Sequence, residues 1–202
     1  MKNLSFISLT ANRLSGNIPG HLGSFTALTY LSLESNQFSG VVPPELGKLV
    51  NLKSLILSGN KLVGTLPEAL AQIKDLKDFR VSDNNLNGTV PEFIGNWTQL
   101  QKLVLRNINL TGTIPENAWK VEKTLDLNFN KLVGEIPPNT IRRRQFTFLS
   151  GNKLTGTVQD SFLQNSPNLD VSYNNFSRSP RCSSSNENNI NWFRSSSSNN
   201  KL

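Results

Sequence analysis

An apolar pattern that recurs every 24 residues constrains this chain more than any other feature of its sequence. Each copy reads L-x-x-L-x-L-x-x-N-x-L-x-G-x-(I/V/L)-P, and the first five copies open at Leu4, Leu28, Leu52, Leu76 and Leu100. Three shorter copies follow at a spacing of 22 residues and are anchored by Asn130, Asn152 and Asn174. A fixed period of this length is typical of a solenoid, in which each repeat forms one coil and buries its apolar side chains against its neighbours.

Each part of the pattern predicts a local structure. The L-x-L step has a period of two, so it predicts a short strand whose leucines point inward while the residues between them face solvent. The Asn falls where the chain turns inward, and its amide can bond to buried backbone of the turn. Pro lacks the N–H of a central strand and favours an extended return. Late apolar positions predict a second buried column: Phe25, Leu49, Ile73 and Trp97.

The pattern predicts eight coils over residues 1–176, starting near 4, 28, 52, 76, 100, 122, 144 and 166. Ile108 stands where the fifth coil should carry its Asn, which predicts a weak point. The opening leucine is replaced by Glu122 and Arg144 in the sixth and seventh coils, and a strand leucine by Thr147. Nearby apolar residues, Val121 and Ile141, could substitute through a shifted backbone. The register of this stretch stays open, and one of Phe146 and Phe148 could turn inward in place of Thr147.

The L-x-G-x-I-P segments at residues 14–19 and 110–115 resemble the plant-specific class of extracellular leucine-rich repeats. More narrowly, residues 79–84, 105–112 and 170–177 are similar to stretches of receptor-like serine/threonine kinases whose ectodomain joins such repeats to a malectin-like domain. In that family the position of Ile108 can carry Cys. The resemblance implies an α/β repeat solenoid, an arc with a parallel sheet on its concave face and an irregular or 3-10 helical convex side.

Set against such receptors, the sequence has no paired-cysteine cap, malectin-like domain, membrane span or kinase motif. We therefore expect a fragment of an ectodomain, with no signal peptide, from the extracellular face of the plasma membrane; a missing downstream helix would provide the only membrane contact. Residues 177–202, with fifteen Ser or Asn among 26, are expected to form a tail or linker. The single cysteine, Cys182, either forms a disulfide with a missing partner or is an unpaired thiol.

Five N-x-S/T sequons favour a secretory compartment, although an Asn-rich and Thr-rich chain also produces such triplets by accident. The candidate glycosylation sites are Asn3, Asn87, Asn96, Asn109 and Asn175.

The strand residues between the leucines predict a candidate ligand-binding face. They form columns across neighbouring coils, with a basic centre suited to carboxylates and exposed aromatics at both ends. We assign to this face Phe6, Tyr30, Lys53, Lys77, Arg80, Lys102, Arg106, Asp126 and Phe148. The alternative is that these are ordinary solvated residues of a curved sheet. Peptide receptors of the superfamily often hold a ligand carboxylate with two Arg at alternating positions of one strand, and no strand here has that pair.

Composition narrows the function further. One His, His21, and one Cys exclude a zinc site within the chain, and no catalytic grouping accompanies His21. No cofactor is expected. The net charge of +7 is too dispersed to predict nucleic-acid binding, and the basic run Arg142–Arg144 is interpreted as a solvated loop.

These observations predict a non-catalytic ligand-binding ectodomain segment of a plant receptor-like kinase, acting in cell-surface signal perception. Its expected partners are a peptide, a wall-derived ligand or a partner receptor ectodomain. The alternative is a secreted inhibitor or structural protein resembling the plant inhibitors of fungal wall-degrading enzymes.

Overall fold

The computed structural model describes residues 3–137, 145–159 and 167–177. Eight short strands, one per coil, form a parallel sheet, as the L-x-L steps predict. These strands are β1 (Phe6–Ser8), β3 (Tyr30–Ser32), β5 (Ser54–Ile56), β7 (Asp78–Arg80), β9 (Lys102–Val104), β10 (Thr124–Asp126), β12 (Phe146–Phe148) and β14 (Leu169–Asp170). We call the outward side of this sheet the concave face.

A second set of strands lies after the ladder asparagines, at the segments around each L-x-G. Four of them form one sheet: β2 (Ser15–Asn17), β4 (Gln37–Gly40), β6 (Lys61–Gly64) and β8 (Asn85–Leu86). Two more pair separately: β11 (Val133–Glu135) and β13 (Lys153–Thr155). The sequence predicts only an extended return here, so this second pairing is a finding of the structure.

The convex side carries short 3-10 helices that begin after the prolines of the repeat pattern, in agreement with the fold expected from the sequence. In the described part of the chain they span Gly20–Ser24, Pro44–Lys48, Glu68–Gln72, Glu92–Asn96 and Glu116–Lys120. Within the same residues no helix has the length and apolar character needed to cross a membrane.

The register of the large sheet places one inward side chain per strand in a single buried column. Leu31 pairs with Leu55, Phe79 pairs with Leu103, and all four are fully buried. The convex column predicted from the sequence is also present, because Leu49, Ile73 and Trp97 are buried; Phe25 in the first helical segment is half-buried. The leucines and the convex column together form the continuous core.

The asparagine of each turn forms a buried hydrogen-bond ladder. The Nδ2 of Asn60 donates to the carbonyls of Leu33 and Leu57, each at 3.0 Å, and its Oδ1 accepts the amide of Phe38 at 3.0 Å. The same arrangement is repeated by Asn36, Asn84, Asn130, Asn152 and Asn174. The ladder connects successive coils because each side chain bonds backbone of its own coil and of the preceding one.

Ile108 interrupts this ladder, yet the carbonyls nearest to it keep donors. Ile108 is fully buried. The Val81 carbonyl accepts from the asparagine of its own coil at 2.9 Å, and the Leu105 carbonyl accepts from Asn130 at 2.8 Å. The Oδ1 of Asn130 also accepts two amides, those of Ile108 at 3.3 Å and Leu110 at 3.0 Å. The flanking asparagines therefore keep these two carbonyls paired.

In the sixth coil Val121 replaces the missing opening leucine, as the sequence allows. Val121 is buried, whereas Glu122, in the leucine position, is exposed. The amide of Glu122 bonds to the Leu100 carbonyl at 3.3 Å, while the earlier opening leucines bond within their own turn. This shortened turn leaves an open convex cavity of about 270 Å³, lined partly by Trp97 and Lys120.

In the seventh coil the backbone keeps the register of its neighbours, and Thr147 occupies the inward position. Thr147 pairs with Leu125 and is fully buried, while Phe146 and Phe148 both lie on the concave face. The expectation that one phenylalanine turns inward is therefore wrong. Ile141, Arg142–Arg144 and Cys182 lie outside the described residues, as does the predicted tail from residue 178 onward.

Candidate ligand-binding face

The concave face is built from side chains that alternate with the inward leucines. Three columns cross the strands, and the assigned residues lie in them or beside them. The column at the first strand position holds Phe6, Tyr30 and Lys102, and the column at the third strand position holds Arg80, Asp126 and Phe148. Arg106 lies in the column that follows the strands. Lys53 and Lys77 directly precede β5 and β7. The fold thus brings seven of the nine assigned residues to one face, and it leaves Lys53 and Lys77 exposed at the start of their strands.

The aromatic pair at one end of the face forms a stack. The rings of Phe6 and Tyr30 are 4.5 Å apart between centroids and 9° from parallel, and Phe6 is 58% exposed. An aromatic side chain left in water gains from a partner that covers its apolar area. This end of the face therefore offers a flat, apolar contact.

Arg80, at the centre of the face, already binds a carboxylate. Its Nε and Nη2 donate to the two oxygens of Asp78 at 2.8 and 2.7 Å. This bidentate hydrogen bond raises the pKa of Arg80, an effect that desolvation by burial partly opposes. Because Asp78 occupies the guanidinium fork, a ligand carboxylate would have to displace it.

Arg106 is paired as well. Its Nη2 lies 3.2 Å from one carboxylate oxygen of Asp83. The other oxygen accepts a hydrogen bond from the side-chain Nδ2 of Asn107 at 3.0 Å. Both charged side chains are more than 40% exposed, so the ion pair is solvated and weak. The two ion pairs therefore neutralise both arginines of the basic centre that the sequence predicts.

The lysines supply the remaining positive charge of the centre. Lys53 and Lys77 are exposed and Lys102 is half-buried, and none of the three forms an ion pair with any carboxylate of the described residues. An ammonium group on a flexible stem can reach a ligand carboxylate without a fixed geometry. The basic centre therefore consists of these three lysines beside two neutralised arginines.

The other end of the face combines aromatic and acidic side chains. Phe146 and Phe148 have ring centroids 5.9 Å apart, tilted by 31°. Asp126 lies beside Phe148 on the neighbouring strand. Burial raises the pKa of Asp126, and the hydrogen bond from the Asn128 amide and the charge of Arg106 offset part of that rise. The face is therefore polarised, with lysines near its centre and carboxylates toward this end.

Sequence reasoning missed the pairing of Asp78 and Asp83 with the two arginines of the face. Asp78 and Arg80 are two residues apart on one strand, which places both on the same side, so the period of two could have indicated the pair. Asp83 lies outside the strand, at a left-handed position with φ of 54° directly before a ladder asparagine. Only the path of the coil brings it to Arg106.

The candidate glycosylation sites lie away from the strands of the concave face. All five sequon asparagines are exposed. Asn87 directly follows β8 and Asn96 ends a convex helix, while Asn109 and Asn175 directly follow ladder positions. His21 is also exposed, on a convex 3-10 helix, with its ring against the edge of Phe25 at 5.7 Å.

Comparison with known proteins agrees with this architecture. Patterns described as leucine-rich repeat match residues 2–62, 75–97 and 123–142. No curated protein sequence gave a significant match.

Three solved structures are similar to the chain over most of its length. The ectodomain of the Arabidopsis thaliana receptor kinase GASSHO1/SCHENGEN3, in complex with CASPARIAN STRIP INTEGRITY FACTOR 2, is 36% identical with a TM-score of 0.81 over 87% of this chain and 22% of that one. The Arabidopsis receptor kinase HAESA, in complex with the peptide hormone IDA and the co-receptor SERK1, is 32% identical with a TM-score of 0.80 over 87% and 31%. Pollen Receptor Kinase 3 is 32% identical with a TM-score of 0.67 over 77% of both chains.

The fold and face define a repeat scaffold with an open concave surface. The chain spans about a fifth to a third of the first two receptor ectodomains and about three quarters of the third. The chain belongs to the leucine-rich repeat family, and these similar structures come from plant receptor kinases.

Proposed function

We propose that the chain is the ligand-binding part of the extracellular region of a plant receptor-like kinase and that its concave face binds an extended peptide. The observation that carries this proposal is the exposed row of aromatic and lysine side chains on one side of a continuous parallel sheet. Its support from similar structures is that HAESA is described in complex with the peptide hormone IDA, and GASSHO1/SCHENGEN3 in complex with CASPARIAN STRIP INTEGRITY FACTOR 2.

The nine assigned residues have distinct roles in this proposal. The stacked Phe6 and Tyr30 contact apolar ligand side chains, and the lysines bind ligand carboxylates. The charged pairs of Arg80 and Arg106 line the middle of the groove and exchange partners when an acidic ligand enters. Binding is the chain's whole task, and no reaction is assigned to it.

The parent protein is proposed to continue through a malectin-like domain, a membrane helix and a serine/threonine kinase. In that setting the Ser/Asn-rich residues 177–202 act as a linker, the five sequon asparagines carry glycans, and Cys182 pairs with a cysteine of the adjoining part. Ligand binding would then change the association of ectodomains at the plasma membrane and so transmit a signal, with a co-receptor ectodomain as a second partner. Sequencing the full-length transcript tests this arrangement, since a stop codon after a second cap cysteine would instead favour the secreted inhibitor.

Charge reversal on the face tests the binding proposal. Twelve-residue peptides are selected from a random displayed library on the immobilised chain, then synthesised and titrated. We expect the double variant Lys77→Glu, Lys102→Glu to bind them at least tenfold more weakly, because the two changes replace positive by negative charge in the basic centre, where acidic ligand residues are proposed to bind. The arginines are poor choices here, since a carboxylate at position 80 would oppose Asp78.

The matched control is the double variant Lys48→Glu, Lys74→Glu, which makes the same change in net charge on exposed convex residues. It should bind the selected peptides as the wild type does, with both variants retaining the wild-type circular dichroism spectrum. Equal weakening by the two variants, or no weakening by either, would reject the concave face as the peptide site.

A further inference from the structure

Three side chains on adjacent strands form a column at the acidic end of the concave face. Asp126 pairs with Phe148 across β10 and β12, and Phe148 pairs with Asp170 across β12 and β14. Neighbouring strands lie about 4.8 Å apart, which places the two aspartates about 10 Å apart with the aromatic ring between them. We call these three residues the aspartate–phenylalanine column.

Each carboxylate of the column keeps one oxygen without a partner in the described residues. The Oδ1 of Asp126 accepts the Asn128 amide at 3.1 Å. The Oδ1 of Asp170 accepts the amide and the hydroxyl of Ser172 at 3.0 and 2.6 Å. Neither aspartate forms an ion pair there, and the Arg106 charge that attracts Asp126 is paired with Asp83. The local backbone therefore orients both carboxylates while leaving their charge uncompensated.

The ring between the carboxylates is itself unusual for a solvent-facing strand position. Phe148 packs at a tilt against Phe146, which fixes one ring against the other. A cation over an aromatic face is attracted by the electrons of the ring, and a carboxylate beside it adds a charge-assisted hydrogen bond. Burial raises the pKa of Asp126, so its ionised form lacks solvation that a bound cation would replace.

We propose that the aspartate–phenylalanine column binds the guanidinium group of an arginine side chain in the peptide ligand. Guanidinium is planar, stacks on an aromatic ring, and directs donors to opposite sides in one plane, which suits a ring flanked by two carboxylates. An ammonium group is compact and strongly hydrated, so it matches this spacing less well. This inference depends on the proposed peptide-binding function and adds a polarity: the arginine lies over β12, and acidic ligand residues lie over the lysines.

The probe is the blocked tripeptide Ac-Gly-Arg-Gly-NH2, compared with the same peptide carrying citrulline, which has nearly the same shape without the charge. Both are titrated into the isotopically labelled chain, and amide shifts are followed over residues 124–128, 146–150 and 168–172. We expect saturable shifts in these segments with the arginine peptide, at least fivefold weaker binding of the citrulline peptide, and affinity that falls with added salt.

The variants Phe148→Leu and Asp170→Asn should each weaken binding of the arginine peptide at least threefold. The matched control Asp75→Asn removes the same charge from an exposed position between the convex helix Glu68–Gln72 and β7, and it should leave binding unchanged. Asp170→Asn decides the matter if Phe148→Leu alters the fold. Equal binding of the two peptides, or an equal effect of Asp75→Asn and Asp170→Asn, would overturn the proposal.

The two proposals fail separately in these experiments. If the library-selected peptides bind the concave face but contain no arginine, the proposed arginine site is rejected while the proposed peptide-binding function stands. The opposite result is saturable binding of the tripeptide at the column while the selected peptides bind the variant Lys77→Glu, Lys102→Glu as tightly as the wild type. It would support the arginine site and reject peptide binding by the rest of the concave face.

Discussion

Replacing a central ladder asparagine, Asn84, by alanine should destabilise the chain strongly. Its Nδ2 donates to the carbonyls of Leu57, Val81 and Ser82 at 3.1, 2.9 and 3.1 Å, and its Oδ1 accepts the Leu62 amide at 2.9 Å. Asn84 is buried, so water cannot easily replace these bonds. The carbonyls of Leu57 and Ser82 keep a second donor, which leaves the Val81 carbonyl and the Leu62 amide unpaired. Two unpaired buried groups cost about 1 to 3 kcal/mol each, so we expect a loss of about 2 to 6 kcal/mol.

The first coil offers the matched control. Asn12 occupies the same ladder position and donates to the carbonyls of Leu9 and Thr10 at 2.9 and 3.2 Å, but it is exposed. Water can take over those bonds, so Asn12→Ala should cost less than about 1 kcal/mol. Urea unfolding followed by circular dichroism measures both values, and hydrogen exchange at the Leu62 amide tests whether Asn84→Ala frees that group. Similar costs for the two variants would show that burial of the ladder is not the source of its stability.

Three further substitutions test single features of the structure. Burial raises the pKa of Asp126 above its ordinary value of 3.8, so ionisation of this carboxyl lowers the stability of the fold as the pH rises above that value. Asp126→Asn should therefore raise the melting temperature at pH 7, and the gain should vanish below pH 3.8. Thr147→Val removes a buried hydroxyl that has no hydrogen-bond partner within the described residues, so the urea midpoint should rise by the equivalent of about 1 kcal/mol; a fall would mean that the hydroxyl is satisfied. In Gly47→Ala the added methyl would collide with the Ala69 carbonyl, so the free energy of unfolding in urea should fall by about 1 to 3 kcal/mol. In the control Gly20→Ala the methyl meets only the flexible end of the Glu45 side chain at 3.0 Å, so the loss should be smaller. Equal losses would contradict the packing argument.

The strands, the buried columns and the ladder could be predicted from the sequence because each depends on a local repeat. Leu31 and Leu55 share one position of the pattern, and identical positions of a solenoid stack directly on one another. The burial of Val121 in place of the opening leucine of the sixth coil was predictable on the same basis. An apolar residue next to the position of the missing leucine can reach it by a small backbone shift.

The ion pairs of the concave face could not be predicted from the repeat pattern alone. The partner of Arg106 is Asp83, 23 residues earlier and outside the strands, so their proximity depends on where two coils place their turns. Left-handed backbone supports these turns in every coil, and side chains as different as Gly59, Asp83 and Phe129 adopt it. A repeat pattern identifies that position but not the direction of the side chain it carries.

The seventh coil shows why the acidic and aromatic end of the face resisted prediction. Hydrophobicity alone favours burying a phenylalanine over Thr147, but a shift of one residue would move every side chain of the strand to the opposite side. The inward Leu149 and the bonds of Asn152, both after β12, hold the register of the strand. Thr147 is therefore buried, with no hydrogen-bond partner for its hydroxyl among the described residues, while both phenylalanines lie on the solvent side of the strand. In these three residues the polar side chain is buried and the two half-buried aromatic rings lie on the solvent side, an arrangement that supports the proposed ligand-binding role of this strand.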